Sequence, residues 1–226
     1  MKKTSGKINK SIYSIIIMIA ALIMFAPCTY ADGINAGDWI KLYNGTYGTT
    51  NGGEFDVFKS SGGNFGTYTD QNFTTFCMET NEYFNYGAPL YVADISKSAV
   101  GGGSGGGNPD ALDPRTAYLY YNFRMGNLSS LTGTWQYDNA GINELQQAIW
   151  YIEQETGGAN NYLVALSGNS DWAGNNYTGN VYIMNLTDGN GVKKQSQLVL
   201  VPEPATMLLL GLGLLGLSGI RRKSKE

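Results

Sequence analysis

From residue 38 to residue 96, apolar and polar side chains alternate in short runs broken by Gly, Asn, Ser and Thr, which predicts half-buried strands. The runs are Asp38 to Tyr43, Glu54 to Phe58, Phe73 to Glu79 and Leu90 to Ser96, with Asn51-Gly52-Gly53 and Ser61-Gly62-Gly63 among the turns between them. Gly101 to Gly107, glycine except for Ser104, reads as a flexible link. Beyond it the period lengthens. Asp113-Pro114 opens a helix predicted to reach Met125, with Asp as N-cap and proline at the first helical position. A second helix is predicted from Asn139 to Thr156, closed by Gly157-Gly158, and a short third from Asn161 to Leu166. Strands return at Val181 to Leu186 and Gln195 to Val199. Strands, then helices, then strands predict an α+β domain: a β-sandwich or barrel with inserted helices.

The two ends follow a different pattern. Lys2, Lys3, Lys7 and Lys10 precede an apolar run from Ile12 to Ala26 and small residues up to Ala31, which reads as a signal peptide over residues 1–31. Pro27 before Cys28 departs from the pattern of a lipid-modified leader. At the other end, Val201-Pro202-Glu203-Pro204 is followed by the apolar run Ala205 to Ile220 and then Arg221-Arg222-Lys223. As a helix rising about 1.5 Å per residue, that run reaches roughly 24 Å, a short transmembrane helix suited to a transient anchor. Positive charge at both extremes is expected to stay cytoplasmic, which leaves residues 32–200 outside as one exported domain.

Residues 201–226 resemble the PEP-CTERM sorting signal of Gram-negative bacteria: Pro202-Glu203-Pro204, an apolar helix and the basic pair Arg221 and Arg222, in that order. The resemblance implies recognition, and cleavage near the Pro-Glu-Pro, by an exosortase-type processing enzyme, usually in bacteria that export polysaccharide. The expected location is the cell surface or extracellular space, with membrane contact only through the transient C-terminal anchor.

Composition narrows the chemistry. The 226-residue chain has 31 Gly, 16 Tyr and 4 Trp, only 15% charged residues and no His. Without imidazole, histidine-based nucleophilic triads and imidazole zinc sites are excluded. Residues 32–200 carry seven basic and sixteen acidic residues, about −9 net, which disfavours nucleic acid as a partner. The glycines of 101–107 are not followed by the Lys-Ser/Thr of a phosphate loop. Asp188-Gly189-Asn190-Gly191 lacks the spacing and distal Glu of a calcium loop, so it reads as a turn; no metal or cofactor is expected. No carboxylate pair stands out for glycoside hydrolysis.

Once the leader is removed, Cys77 is the single cysteine, so no internal disulfide can form. Outside the cytosol a lone thiol is buried as a small hydrophobe, paired between molecules, or consumed in a reaction. On the helix from Asn139, Ile142, Leu145, Ile149 and Ile152 form an apolar arc with Gln146 at its edge, while Gln147 points away. Gln146 can be a hydrogen-bonded amide at the core margin, or something more.

Phe76-Cys77-Met78-Glu79 and Leu145-Gln146-Gln147-Ala148-Ile149-Trp150 together resemble the two signatures of thioester domains in bacterial surface adhesins. Phe76, Glu79, Ala148 and Trp150 are the supporting motif positions. The resemblance implies a bond between the Cys77 sulfur and the Gln146 side-chain carbonyl, formed with loss of ammonia. An amine or hydroxyl on a surface target or an extracellular polysaccharide could displace it, leaving a covalent amide or ester. Such a reaction runs once per molecule, so the chain is read as a binding protein and not an enzyme. The alternative is a non-covalent structural or carbohydrate-binding matrix or biofilm protein, its aromatics stacking on sugars and its cysteine inert.

Overall fold

The computed structural model describes residues 32–48, 52–68, 70–101, 103–157 and 162–201. The leader, the sorting tail with Pro202, Glu203, Pro204, Arg221 and Arg222, and the expected C-terminal transmembrane helix lie outside the described residues.

Strands β1 (Trp39–Asn44), β2 (Phe55–Lys59), β3 (Gln71–Thr75) and β4 (Leu90–Ser96) come first, with a two-residue pair β5 (Ser98–Ala99) and β6 (Asp110–Ala111) after them. Helices α1 (Pro114–Arg124), α2 (Leu128–Thr132), α3 (Asn139–Ile152), α4 (Tyr162–Gly168) and α5 (Asp171–Asn175) follow, and β7 (Val181–Thr187) and β8 (Lys193–Leu200) close the domain. Six strands form one antiparallel sheet in the order β3-β2-β1-β4-β7-β8, so the helices are inserted between two strands that are neighbours in the sheet.

The expected sandwich or barrel is not what forms. There is one main sheet, and it curls without closing: beyond β3 the chain touches β8 through a single bridge, Cys77 to Gln197, flanked by Met78 N–H to Ser196 O at 3.0 Å and Leu198 N–H to Phe76 O at 3.2 Å. The strand expected up to Glu79 therefore leaves the β2 ladder after Thr75 and crosses to the opposite edge.

Alternation along the strands separates two cores. Ile40, Leu42, Val57, Leu90, Val92, Leu186 and Val199 fill the concave side together with Cys77. On the convex side, Val181, Ile183, Leu198 and Leu200 meet Leu119, Tyr120, Ile142, Leu145, Ile149 and Leu163 of the helices. Each fully buried Leu or Ile contributes about 1.5–3 kcal/mol, so the arc of α3 is a principal reason the helices stay on β7 and β8. Over β1, β2 and β4 the convex face has no helix, and the ring pairs Trp39–Tyr91 and Tyr43–Phe58 lie on it.

Local signals start the helices. Asp113 Oδ1 accepts from Arg115 N–H at 2.8 Å at the head of α1, and Asp138 Oδ1 from Gly141 N–H at 2.8 Å at the head of α3. α3 ends at Ile152, short of the expected Thr156, because the chain turns at Gln154 (φ 63) and carries Glu153 and Glu155 inward. Glu155 then undoes the expected flexible link. Its carboxylate accepts from Ser104 N–H (2.8 and 2.9 Å), Gly105 N–H (3.1 Å), Thr80 N–H (3.0 Å) and the Thr80 hydroxyl (3.1 Å). The glycine stretch cradles an anion supplied by the protein itself.

Candidate functional site

The departure of the chain from β3 creates the site. At Cys77 the neighbouring bonds to β8 run through Phe76 and Met78, so the Cys77 N–H and C=O face away from β8, where no further strand pairs with them among the described residues. Gln146, on the second turn of α3, takes that place. Its Oε1 accepts from Cys77 N–H at 3.0 Å and its Nε2 donates to Cys77 O at 3.0 Å, so a side-chain amide substitutes for a strand. Two residues 69 apart in sequence are held as a reciprocal pair, each 1% exposed. Gln147, 100° further round, is exposed.

The thiol points into the concave core opposite Gln197, which is fully buried. Burial pushes the Cys77 thiol well up, against a hydrogen bond with the Gln197 side chain, so the sulfur is held as neutral S–H. Such a thiol is a poor nucleophile towards bulk reagents. The Gln146 amide is held to the backbone of the same residue, and an intramolecular attack on it would not carry the cost of a bimolecular encounter. The Cys77 N–H that holds Gln146 Oε1 also sits where negative charge would develop if that amide carbon were attacked.

The supporting positions fall around the pair. Phe76 is buried against Phe123 (centroids 5.0 Å apart) and Tyr120 (6.5 Å), and Ala148 faces the same core with no exposure. Trp150 packs half-buried against the concave core with its indole N–H unpartnered. The loop between β1 and β2 lies over it: a Cβ added at Gly52 would stand 2.3 Å from Trp150 Cη2 and 3.2 Å from Gln146 Cγ. That loop is pinned by Glu54, whose carboxylate accepts from Tyr47 N–H at 2.8 Å and from the Tyr137 hydroxyl at 2.8 and 3.0 Å. Phe55, Phe84 and Tyr86 pack edge-on nearby, and the Tyr86 hydroxyl is pushed up by burial and then by the Cys77 beside it.

Glu79 is 1% exposed, and neither of its carboxyl oxygens has a hydrogen-bond partner. Burial first, then the Glu82 carboxyl and the charge of Glu155, push it up to about 8. Sequence reasoning singled out neither Glu82 nor the alternating Gln195 and Gln197 of β8, because their role depends on β8 meeting the segment after β3. Among the described residues no cluster of Cys, Asp and Glu is arranged to hold a metal.

Residues 200–223 match the model of the PEP-CTERM protein-sorting motif. The match spans Pro202, Glu203, Pro204, Arg221 and Arg222, and it marks the chain as an exported protein sorted by an exosortase and transiently anchored in the membrane before processing. No curated protein and no solved structure matches the chain.

Proposed function

We propose that this exported protein attaches covalently to a surface or matrix target through an internal thioester between Cys77 and Gln146. The observation that carries the reading is the reciprocal pair of 3.0 Å hydrogen bonds holding the Gln146 amide against the one cysteine of the exported domain. In the first step the Cys77 sulfur bonds to the Gln146 amide carbon, the carbon–nitrogen bond breaks, and the thiol proton leaves with the nitrogen as ammonia. In the second, an amine or hydroxyl of the target bonds to the same carbon and the sulfur departs, regaining a proton as a thiol. Burial of both residues excludes water, which protects a stored electrophile from hydrolysis. One use per molecule makes this attachment, not turnover, and an extracellular polysaccharide hydroxyl or a surface amine supplies the chemistry required.

The test is the intact mass of the secreted protein together with its response to methylamine. The expected result is a mass short by one ammonia, restored by a methylamine adduct on Gln146 with simultaneous release of a Cys77 thiol that alkylates. Cys77→Ala abolishes both. A full sequence mass, with no adduct and a thiol that alkylates only on unfolding, would overturn the reading.

A second reading, non-covalent sugar binding, is favoured by one feature. Trp39 and Tyr91, ring centroids 5.2 Å apart, wall a cleft of about 430 Å³ on the uncovered convex face, with Thr187, Asp188 and Gly189 at its rim. Aromatic walls beside polar groups suit a sugar ring, and the cleft lies apart from Cys77, on the other face of the sheet.

A further inference from the structure

The second step of the mechanism needs proton transfers, and the chain contains no histidine to make them. Around Cys77, among the described residues, five polar atoms are buried without a hydrogen-bond partner: both carboxyl oxygens of Glu79, Glu82 Oε2, Gln197 Oε1 and the Trp150 indole nitrogen. Leaving one such group unpaired costs about 1–3 kcal/mol, and more when it is charged, so the grouping opposes stability. Glu79 is two positions beyond Cys77, past a bend at Met78, and its carboxyl is near enough for its charge to push the Cys77 thiol up.

The groups facing Glu79 are almost all acids or amides. Glu82 presents its carboxyl to it, Glu155 adds negative charge, and the Cys77 thiol lies on the same side. From β8, Gln195 Nε2 donates to the Glu79 carbonyl at 2.7 Å, and Gln197 Nε2 reaches Gln195 Oε1 at 3.5 Å. The Ser196 backbone lies close to the carboxyl without making a hydrogen bond of good geometry to it, and it offsets the burial only in part. Burial, the Glu82 carboxyl and the charge of Glu155 all disfavour ionisation of Glu79, so it keeps its proton as an acid up to about pH 8.

We propose that the Glu79 carboxyl, with the Glu82 carboxyl against it, is the proton donor and acceptor for the Cys77–Gln146 reaction. In bond formation one oxygen of Glu79 takes the thiol proton while the other gives up its own to the departing nitrogen, which leaves as ammonia. In transfer it takes the proton lost by the attacking amine and returns one to the sulfur as the carbon–sulfur bond breaks. Glu79 is unchanged after each step. Once ionised it can no longer donate, and its added charge opposes thiolate formation.

This inference rests on the thioester reading, and the experiment separates the two. The secreted protein, Glu79→Gln, Glu79→Asp and Glu82→Gln are compared for ammonia loss and for the single-turnover rate of reaction with hydroxylamine from pH 7 to 9, a range in which that nucleophile is already the free base, so that its own protonation does not set the profile. The expected result is a parent rate that declines above about pH 8, a loss of roughly 100-fold in Glu79→Gln, the scale of general acid–base catalysis, and partial rescue by Glu79→Asp. Glu82→Gln is expected to move the alkaline limb, and it keeps the inference testable if Glu79→Gln is not secreted. Parent protein without ammonia loss would overturn the thioester and the inference together. Parent protein with ammonia loss, but with variants of unchanged rate and pH profile, would overturn the proton role alone.

Discussion

Gln146 and Gln147 differ by one position and by their whole environment. Gln146 is buried and satisfies two backbone groups of Cys77, whereas Gln147 is exposed on the far side of α3. Gln146→Ala would leave the Cys77 N–H and C=O without partners at a buried strand edge, at a cost of about 1–3 kcal/mol for each group. Gln147→Ala is expected to change stability by less than about 0.5 kcal/mol. The two variants should therefore separate cleanly in a urea unfolding experiment, and the intact mass adds a second axis. Ammonia loss should persist in Gln147→Ala and vanish in Gln146→Ala; loss of the deficit in Gln147→Ala alone would show that the wrong glutamine had been assigned.

At the scale of elements, Gly52 of the β1–β2 loop packs against Trp150 and Gln146 beside the pair. Gly52 sits at φ +125, a conformation that L side chains rarely adopt, with the Trp150 ring and the Gln146 side chain directly against it. Gly52→Ala must therefore either strain the backbone or lift the loop, because the 2.3 Å approach to Trp150 is to a ring and not to a flexible chain end. The expected outcome is a destabilisation of about 1–3 kcal/mol with faster reaction of the buried pair towards hydroxylamine. A stable variant with unchanged reactivity would show that access lies elsewhere. This contact was only half legible in sequence. Asn51-Gly52-Gly53 announced a turn, but nothing in it announced that the turn packs on α3, a contact some ninety residues away. The element order was legible because period-2 and period-3.6 runs are local: β4 occupies the expected span, and α1 begins where Asp113-Pro114 placed it. Glu155 shows the opposite case. A charged residue near a helix end reads as solvated surface, and only the tertiary fold brings the amides of Ser104 and Gly105 to it.

At the scale of the whole molecule, burial of acids sets a direction for stability. The ends of the domain are locked together by one of them: Asp32 pairs with Arg124 at 2.7 Å, accepts from Leu200 N–H at 2.7 Å and donates its own N–H to Leu200 O at 3.0 Å. Burial outweighs the Arg124 charge and raises the Asp32 carboxyl. Glu79 and Glu153, 1% and 2% exposed, are each raised to about 8 from an ordinary 4.5, and Asp110 to about 6; burial is the first cause in all three. Between about pH 4.5 and 8 the folded protein therefore holds more protons at these groups than the unfolded chain does. By linkage, their contribution is fully present below the unfolded values and is lost as pH rises through the folded ones. Lys97, lowered to about 8 by burial, works the other way, but its window lies between about 8 and 10.5 and does not offset the decline below it. Each extra proton held by the folded protein costs about 1.4 kcal/mol of stability for every pH step of one, so the decline from pH 5 to pH 8 should be on the order of 3 kcal/mol or more. Urea midpoints measured across that range should thus be highest near pH 5 and fall steadily towards pH 8. Glu153→Gln, which keeps the shape of the side chain but cannot ionise, should flatten part of the slope. Midpoints that are level or rise with pH would mean that these carboxyls are hydrated and charged in the folded protein, and a hydrated Glu79 could not hold a proton for Cys77.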